Sequence, residues 1–276
     1  MSPNPSAAPV CTVRLRYAKR GKLRFTSHRD VARAFERALR RAGLPMAYSQ
    51  GFSPHPKVSW VGAAPTGVAS EAEYAEIQLV EHVDPQVVRA ELDVALPEGL
   101  AVLEGVLAGP GGLAERIEAS AWRIEVRGVG GDQLRQAAQI LLATSTLLVE
   151  RVTKDGRRSL DARAAIVSLD VEDCPTVLPA SDQLSRCGIL VAVVRQVSPA
   201  VRPDDVLSAL GAVAGLPSSV LVKAIRTAQG RLDDDGGLVD PLAADRAFAR
   251  AVVAPDGGAP SDDGSDQHDV AGHTRL

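Results

Sequence analysis

The segment Tyr48-Ser49-Gln50-Gly51-Phe52-Ser53-Pro54-His55-Pro56-Lys57 gathers an imidazole, an ammonium group and two aromatic rings in one loop. Prolines at alternate positions fix φ and remove amide donors, so the loop is stiff. His55, between Pro54 and Pro56 and close to Lys57, is the candidate for a group held at a fixed position. The alternative is a loop residue that packs on the body of the protein. Phe52 or Tyr48 stacks on a base or plugs the loop onto the core. Ser49, Gln50 and Gly51 meet a ligand or only close the loop's own backbone. Upstream, Arg29, Arg33, Arg37, Arg40 and Arg41 recur at helical spacing, with Asp30 the one acid beside them. Arginine offers a planar fork matched to phosphate oxygens. The competing reading is a solvated face, or a docking surface for acidic parts of the same chain. Lys19, Arg20, Lys22 and Arg24 add to the basic block, and with Lys57 they complete the candidate nucleic-acid contacts.

His28 precedes that stripe at a helix N-terminus, where the dipole favours a neutral imidazole. It serves as a general base or phosphate ligand, or is buried and hydrogen-bonded, since its wheel angle lies nearer the apolar side. His28, His55 and Lys57 are the weak catalytic candidates: either histidine as base, and Lys57 to stabilise a phosphorane. Arg14 and Arg16 bind phosphate or pair with Glu76 across a sheet. Asp161 and Arg163, two apart on an expected strand, share one face and pair with each other or with a substrate.

The charge pattern supports a polyanion site that the total conceals. The 276 residues carry 31 basic and 34 acidic side chains, a net of −3. Residues 10–60 are net +10, residues 61–121 net −9, residues 122–231 net +3 and residues 232–276 net −7. Seven of the nine aromatics lie between Tyr17 and Tyr74, and a block both basic and aromatic is what grips phosphates and bases. A basic block beside an acidic one equally fits two halves that pair internally. With 45 % hydrophobic and 24 % charged residues the chain is neither fibrous nor disordered as a whole. No apolar run approaches the ~20 residues of a membrane span, and the N-terminus lacks the form of a signal peptide. Cys11, Cys174 and Cys187 are too few and scattered for a disulfide framework or a CxxC metal site. They read as packing residues or surface thiols in a reduced, cytoplasmic protein with no metal and no cofactor.

The elements that position these residues follow from periodicity. Val13, Leu15 and Tyr17 alternate with polar neighbours, a half-buried strand. Thr26 or Ser27 caps a helix, with Ser27-x-x-Asp30 an acidic capping box. That helix spans about 28–42 and stops at Gly43 before Pro45. Val31, Ala34, Phe35, Ala38, Leu39 and Ala42 form its apolar face, opposite the arginines. Strands at 58–64, 72–80 and 100–107, with a helix at 84–95, complete βαββαβ. After Gly109-Pro110-Gly111-Gly112 come strands at 121–126 and 146–153, a turn at 154–157, strands at 162–171, 188–197 and 220–226, and helices at 132–142 and 203–210. The expected fold is α+β: two ferredoxin-like units, 11–108 and 119–230, the second with an extra hairpin. Residues 1–10 are a flexible start, 109–118 a linker, 173–186 a polar loop, and 231–276 an acidic, mostly disordered tail with a short helix near 241–252.

The block LRFTSHRDVARAFERALRRAGLPMAYSQGFSPHPKVSW, with SEAEY (Ser70–Tyr74), SLDAR (Ser159–Arg163) and RPDDVL (Arg202–Leu207), resembles the radical-SAM-linked family of uncharacterised domains over about residues 11–228. The resemblance implies work beside a radical-SAM protein and a link to RNA or ribosome metabolism. The chain has no CxxxCxxC, so the partner supplies any iron–sulfur cluster. The expected function is an RNA-binding or substrate-presenting accessory protein without catalysis of its own. One alternative is a metal-independent endoribonuclease of the CRISPR RNA-processing type, although Arg226-Thr227-Ala228-Gln229-Gly230-Arg231 holds one glycine where such enzymes carry a glycine-rich loop. The other is a protein-docking adaptor that binds no RNA.

Overall fold

Val13, Leu15 and Tyr17 point to one side of the first strand, β1 (Cys11–Lys19), and are almost fully buried. The helix they pack against, α1 (His28–Arg41), begins where expected: the Ser27 hydroxyl accepts from the Asp30 amide at 3.3 Å and donates to the Asp30 carboxylate at 2.7 Å. It ends before Gly43, whose φ of +64° favours glycine. Val31, Ala34, Phe35, Ala38 and Leu39 are its buried face. These observations come from a computed structural model that describes residues 7–153, 156–174, 186–216 and 221–253.

The remaining elements of the first half are β2 (Val58–Val61), β3 (Ala69–Leu79), α2 (Pro85–Ala95) and β4 (Leu100–Leu107). Asp84 caps α2 by accepting from the Gln86 amide at 2.8 Å, with Pro85 in the first turn. The second half holds β5 (Ala119–Arg127), α3 (Gly131–Ala143), β6 (Leu148–Thr153), β7 (Gly156–Asp161), α4 (Ala162–Ala165), β8 (Ile166–Asp173), β9 (Cys187–Arg195), α5 (Pro203–Ala214) and β10 (Leu221–Leu232). Then come β11 (Leu238–Val239) and α6 (Ala243–Val253).

The protein is mixed α+β, and its strands join in one large mixed sheet. The order is β4-β1-β3-β10-β5-β9-β8, with β2 also on β3 and β11 on β10. Each half is antiparallel throughout. The halves meet where β3 and β10 run parallel, through Ile225↔Ala69 and Arg226↔Ser70. The β6–β7 hairpin stands apart as a two-stranded sheet. Its tip, residues 154–155, lies outside the described residues.

Two apolar cores lie between the sheet and its helices. One is built by β1, β3, α1, α2 and β4, and the other by β5, β9, α3, α5 and the base of the hairpin. A third cluster has no counterpart in the sequence reading. Ala72, Tyr74, Val106, Leu113, Ile117 and Leu242 pack together on the opposite face of the sheet, since Tyr74 and Arg16 are paired there. The expected linker 109–118 is therefore packed, with Leu113 and Ile117 buried. The expected tail from 231 is folded as far as residue 253; residues 254–276, and the disorder expected of them, lie outside the described residues, as does most of the 173–186 loop. The strand expected from Ala162 instead opens with the single turn of α4, which Asp161 caps.

What pins α6 is charge. Asp245 is fully buried and accepts from Arg14 Nη1 at 2.6 Å, Arg116 Nη1 at 2.8 Å and the Gly109 amide at 2.9 Å. Arg14 also binds Glu76 at 2.8 Å, so the cross-sheet pairing expected of it is present. Arg246 bridges Glu104 at 2.7 Å and Asp240 at 2.8 Å. Removing one member of a buried charge network leaves the others uncompensated, at a cost of about 3–5 kcal/mol. Asp245→Ala is accordingly expected to lower unfolding stability by ~3–5 kcal/mol in urea titration. A loss below about 1 kcal/mol, the scale of exposed pairs, would show that α6 is held by its apolar contacts instead.

Candidate nucleic-acid interface

The apolar period of α1 leaves its arginines on the far side. Arg29, Arg33, Arg37, Arg40 and Arg41 are all exposed. Arg33 lies 3.6 Å from Asp30, and Arg41 donates to the Ala95 carbonyl at 2.9 Å. Arg29, Arg37 and Arg40 have no carboxylate partner among the described residues. Four acids of the acidic segment are engaged elsewhere: Glu71 with Arg20, Glu73 with Arg226, Glu76 with Arg14, and Glu104 with Arg16 and Arg246.

The loop after α1 closes on itself as a short ladder. Lys57 N donates to Ala47 O at 2.8 Å, Ser49 N to His55 O at 2.9 Å, and Tyr48 pairs with Pro56. The Ser49 hydroxyl accepts from His55 N at 3.2 Å and meets His55 Nδ1 at 3.0 Å. His55 is thus an exposed residue oriented by Ser49, with Nε2 outward of that contact. Gly51 at the tip has φ +128°, a conformation open to glycine. Beside it Phe52 is fully exposed, at 109 %, so it stacks on no ring among the described residues. Gln50 is exposed too, and Tyr48 and Lys57 are half-buried.

His28 is exposed, contrary to the buried alternative, and its ring stands edge-on to Trp60 with centroids 5.4 Å apart. Trp60 in turn meets Tyr17 and Phe35, so His28 caps an aromatic cluster. No hydrogen bond among the described residues joins His28, His55 and Lys57 to one another.

Two of the basic candidates are engaged within the protein, Lys19 by burial and Arg20 by an exposed ion pair. Lys19 is 3 % exposed, and its Nζ reaches the carbonyls of Ala64 and Pro65 at 3.4 and 3.3 Å. Burial lowers its pKa, with Glu73 acting in the other direction. Arg20 forms a two-point pair with Glu71, which raises its pKa. Lys22 is exposed, and Arg24 lies over the ring of Phe25 at 4.4 Å. Phe25, 60 % exposed, is an outward aromatic that the sequence reading passed over; its place after four basic residues in 19–24 is the signal that could have found it.

Asp161 and Arg163 do not share a strand face. Asp161 accepts from the Leu147 and Ala164 amides at 3.1 and 3.2 Å, and Arg163 donates to Leu142 O and Ile166 O at 3.2 and 3.1 Å. Both are spent on backbone groups around the turn of α4. The cysteines correct a further expectation. Cys174 and Cys187 are joined as a disulfide, their Cα atoms 5.6 Å apart, at the open end of the β8–β9 pair. Spacing in sequence could not show this; the register that pairs Asp173 with Gly188 does. Glu125 lies near both sulfurs, but it pairs with Arg127 at 2.8 Å, and the sulfurs are bonded to each other.

The largest omission is the seam. Glu73, 2 % exposed, accepts from Arg226 through one oxygen and from the Ala64 amide at 3.0 Å through the other. Arg226 Nε also reaches Ser70 Oγ at 3.3 Å, and its guanidinium lies 5.5 Å from the Trp122 ring centroid. Gln229 Nε2 donates to Ala72 O at 2.6 Å. Among the described residues no helix is long and apolar enough to cross a membrane.

Fold and site together define a mixed α+β protein whose first helix turns an arginine face outward beside a stiff, aromatic-tipped loop. The chain belongs to DUF2344, a family described as uncharacterised proteins conserved in bacteria, matched over residues 12–203. No curated protein matches it. The matched span includes α1, the loop and β9, and stops as α5 begins.

Because Glu73 balances buried Arg226 and sits near buried Lys19, Glu73→Ala strands two cations. A loss of ~3–5 kcal/mol is expected in chemical denaturation, with Glu73→Gln, which keeps an acceptor, intermediate. Equal stability of Glu73→Ala and the parent would mean the seam carries no charge debt.

Proposed function

We propose that this protein is an RNA-binding or substrate-presenting accessory protein, and that a separate radical-SAM protein performs the chemistry. The observation that carries the RNA reading is the partition of charge. Four acids of residues 61–121, namely Glu71, Glu73, Glu76 and Glu104, are committed to Arg14, Arg16, Arg20, Arg226 and Arg246, while Arg29, Arg37 and Arg40 keep no carboxylate among the described residues. A face with free arginines gains affinity for phosphate by releasing condensed counterions, and that affinity falls as salt rises. Phe52 and Phe25 offer exposed π-faces near this basic block, the pairing that holds single-stranded nucleic acid. His55, set by the Ser49 contact, and Lys57 stand in the same loop as Phe52.

The radical-SAM partner rests on the resemblance of the TSHRD, SQGFSPHPK and RPDDVL blocks. Each half is read as a ferredoxin-like unit. The strand orders β4-β1-β3-β2 and β10-β5-β9-β8 support this, with the β6–β7 hairpin and α4 inserted in the second.

RNA binding by the full chain is expected to weaken at least tenfold when Arg33, Arg37 and Arg40 are all changed to Glu, and to lose its salt dependence in parallel. The thermal midpoint should stay close to the parent's, since all three side chains are exposed. Filter binding at two salt concentrations, with a melting curve on each protein, measures both. Unchanged RNA affinity in the triple variant, or capture of a protein with no RNA bound at low salt, overturns the reading.

A further inference from the structure

A cleft of about 220 Å³ opens beside the seam, between the turn that follows β2 and the segment that joins β9 to α5. Three arginines, Arg195, Arg202 and Arg226, are among the residues that line it, and no acidic residue is. Arg226 is buried at 4 % exposure and fixed by Ser70 and Glu73, and its Nη1 holds no hydrogen bond among the described residues. Glu73 already balances its charge. Arg195 and Arg202 are exposed and have no carboxylate partner among the described residues. The cleft therefore presents two unbalanced positive charges on a neutralised, pre-set third guanidinium. A phosphate monoester carries roughly −1.5 to −2 at neutral pH, which matches that excess better than the single charge of a phosphodiester. The rest of the wall is suited to a base: Trp122 and Pro65 give apolar contact, and Gln196 gives an amide. A site of this volume is smaller than most drug-sized pockets and takes one nucleotide rather than a strand.

We propose that this cleft binds the phosphate monoester of a single nucleotide, either a free mononucleotide or the phosphorylated end of an RNA strand. Bidentate arginine contacts hold the phosphate, and the Trp122 side of the cleft holds the base. The site is formed by β5, β9, β10 and the turn after β2, so it does not rest on the arginine face of α1.

Calorimetry on the full chain at low salt tests it, with nucleoside 5′-monophosphates, the parent nucleosides and inorganic phosphate as probes. A monophosphate is expected to bind at least tenfold more tightly than its nucleoside and than inorganic phosphate. The double variant Arg195→Gln/Arg202→Gln, which changes only exposed side chains, should weaken this tenfold or more, and Ala63→Trp, which fills the cleft from an exposed position, should do the same. The Arg33/Arg37/Arg40 reversal should leave it unchanged, so failure here and failure of the α1 reading are told apart. Competition by a 5′-phosphorylated oligonucleotide, but not by its 5′-hydroxyl counterpart, assigns the site to an RNA end; no competition assigns it to the free nucleotide. Absence of monophosphate binding at millimolar concentration, equal binding of the nucleoside or of inorganic phosphate, or affinity untouched by both cleft variants overturns the proposal.

Discussion

The parallel contact between β3 and β10 is the constraint on which the rest of the structure depends. It is short, and parallel pairing is the less stable kind per residue. It would be a weak joint between two half-sheets if hydrogen bonds alone held it. The Glu73–Arg226 pair supplies what the ladder lacks. Both side chains are nearly inaccessible, so their attraction acts at low dielectric, and their remaining polar atoms reach Ser70 and the Ala64 amide. Desolvating such a pair is costly, and its net contribution to stability is small. What it enforces is register: a shift of one residue along β10 would place Arg226 away from Glu73 and leave two buried ions unpaired. The joint is therefore specific rather than strong. It pairs β10, an edge strand of its half, with the part of β3 that β2 leaves open, which also removes an exposed edge.

That joint decides how charge is distributed over the surface. The sequence divides into a basic block and an acidic block of nearly equal size, and simple complementarity would pair them. The structure pairs them selectively. Arginines that alternate outward on β1, namely Arg14 and Arg16, meet Glu76 and Glu104 across the sheet, and α6 brings Asp245 down onto Arg14 from the same side. Glu76, Glu104 and Asp245 meet their arginines on the sheet face opposite α1, and Glu73 meets its arginine at the seam. Arg29, Arg37 and Arg40 of α1 have no carboxylate partner among the described residues for a geometric reason: they project from the outer side of a helix whose inner side is packed on the sheet. The strands that carry Glu73, Glu76 and Glu104 lie beneath.

What the sequence disclosed was local or periodic. The Ser27–Asp30 cap, the Gly43 stop and the two faces of α1 depend on spacings of three and four residues, and they were legible because such spacings survive any tertiary arrangement. The alternation on β1 was legible for the same reason, as was the helix ending near Val253. What was not legible depends on partners far apart in the chain. Lys19 reads as one more cation in a basic turn; only the approach of Ala64 and Glu73 buries it. Asp161 and Arg163 read as a strand pair because strand and single-turn helix cannot be told apart over four residues. Leu113 and Ile117 follow a glycine-rich stretch and read as linker; their burial needs Leu242, over a hundred positions away. Cys174 and Cys187 become neighbours through the register of β8 on β9.

The segment from Val58 to Pro65 ties the two surfaces together. Trp60 of β2 packs edge-on to His28, Phe35 and Tyr17, which fixes the first turn of α1. A few residues on, the Ala64 amide and carbonyl contact Glu73 and Lys19, and Gly62 passes so close to Gln229 that a Cβ there would lie 2.6 Å from its side-chain oxygen. Gly62 also has φ +60°, so glycine is needed both for the turn and for the approach. One short stretch thus sets the start of the arginine helix at one end and the wall of the arginine-lined cleft at the other. A strain introduced at Gly62 would be felt at both, whereas charge changes on α1 or at Arg195 and Arg202 act on each alone. The two basic surfaces are separable in their electrostatics and joined in their mechanics, since a folded β2 turn is a condition for either one to present its cations.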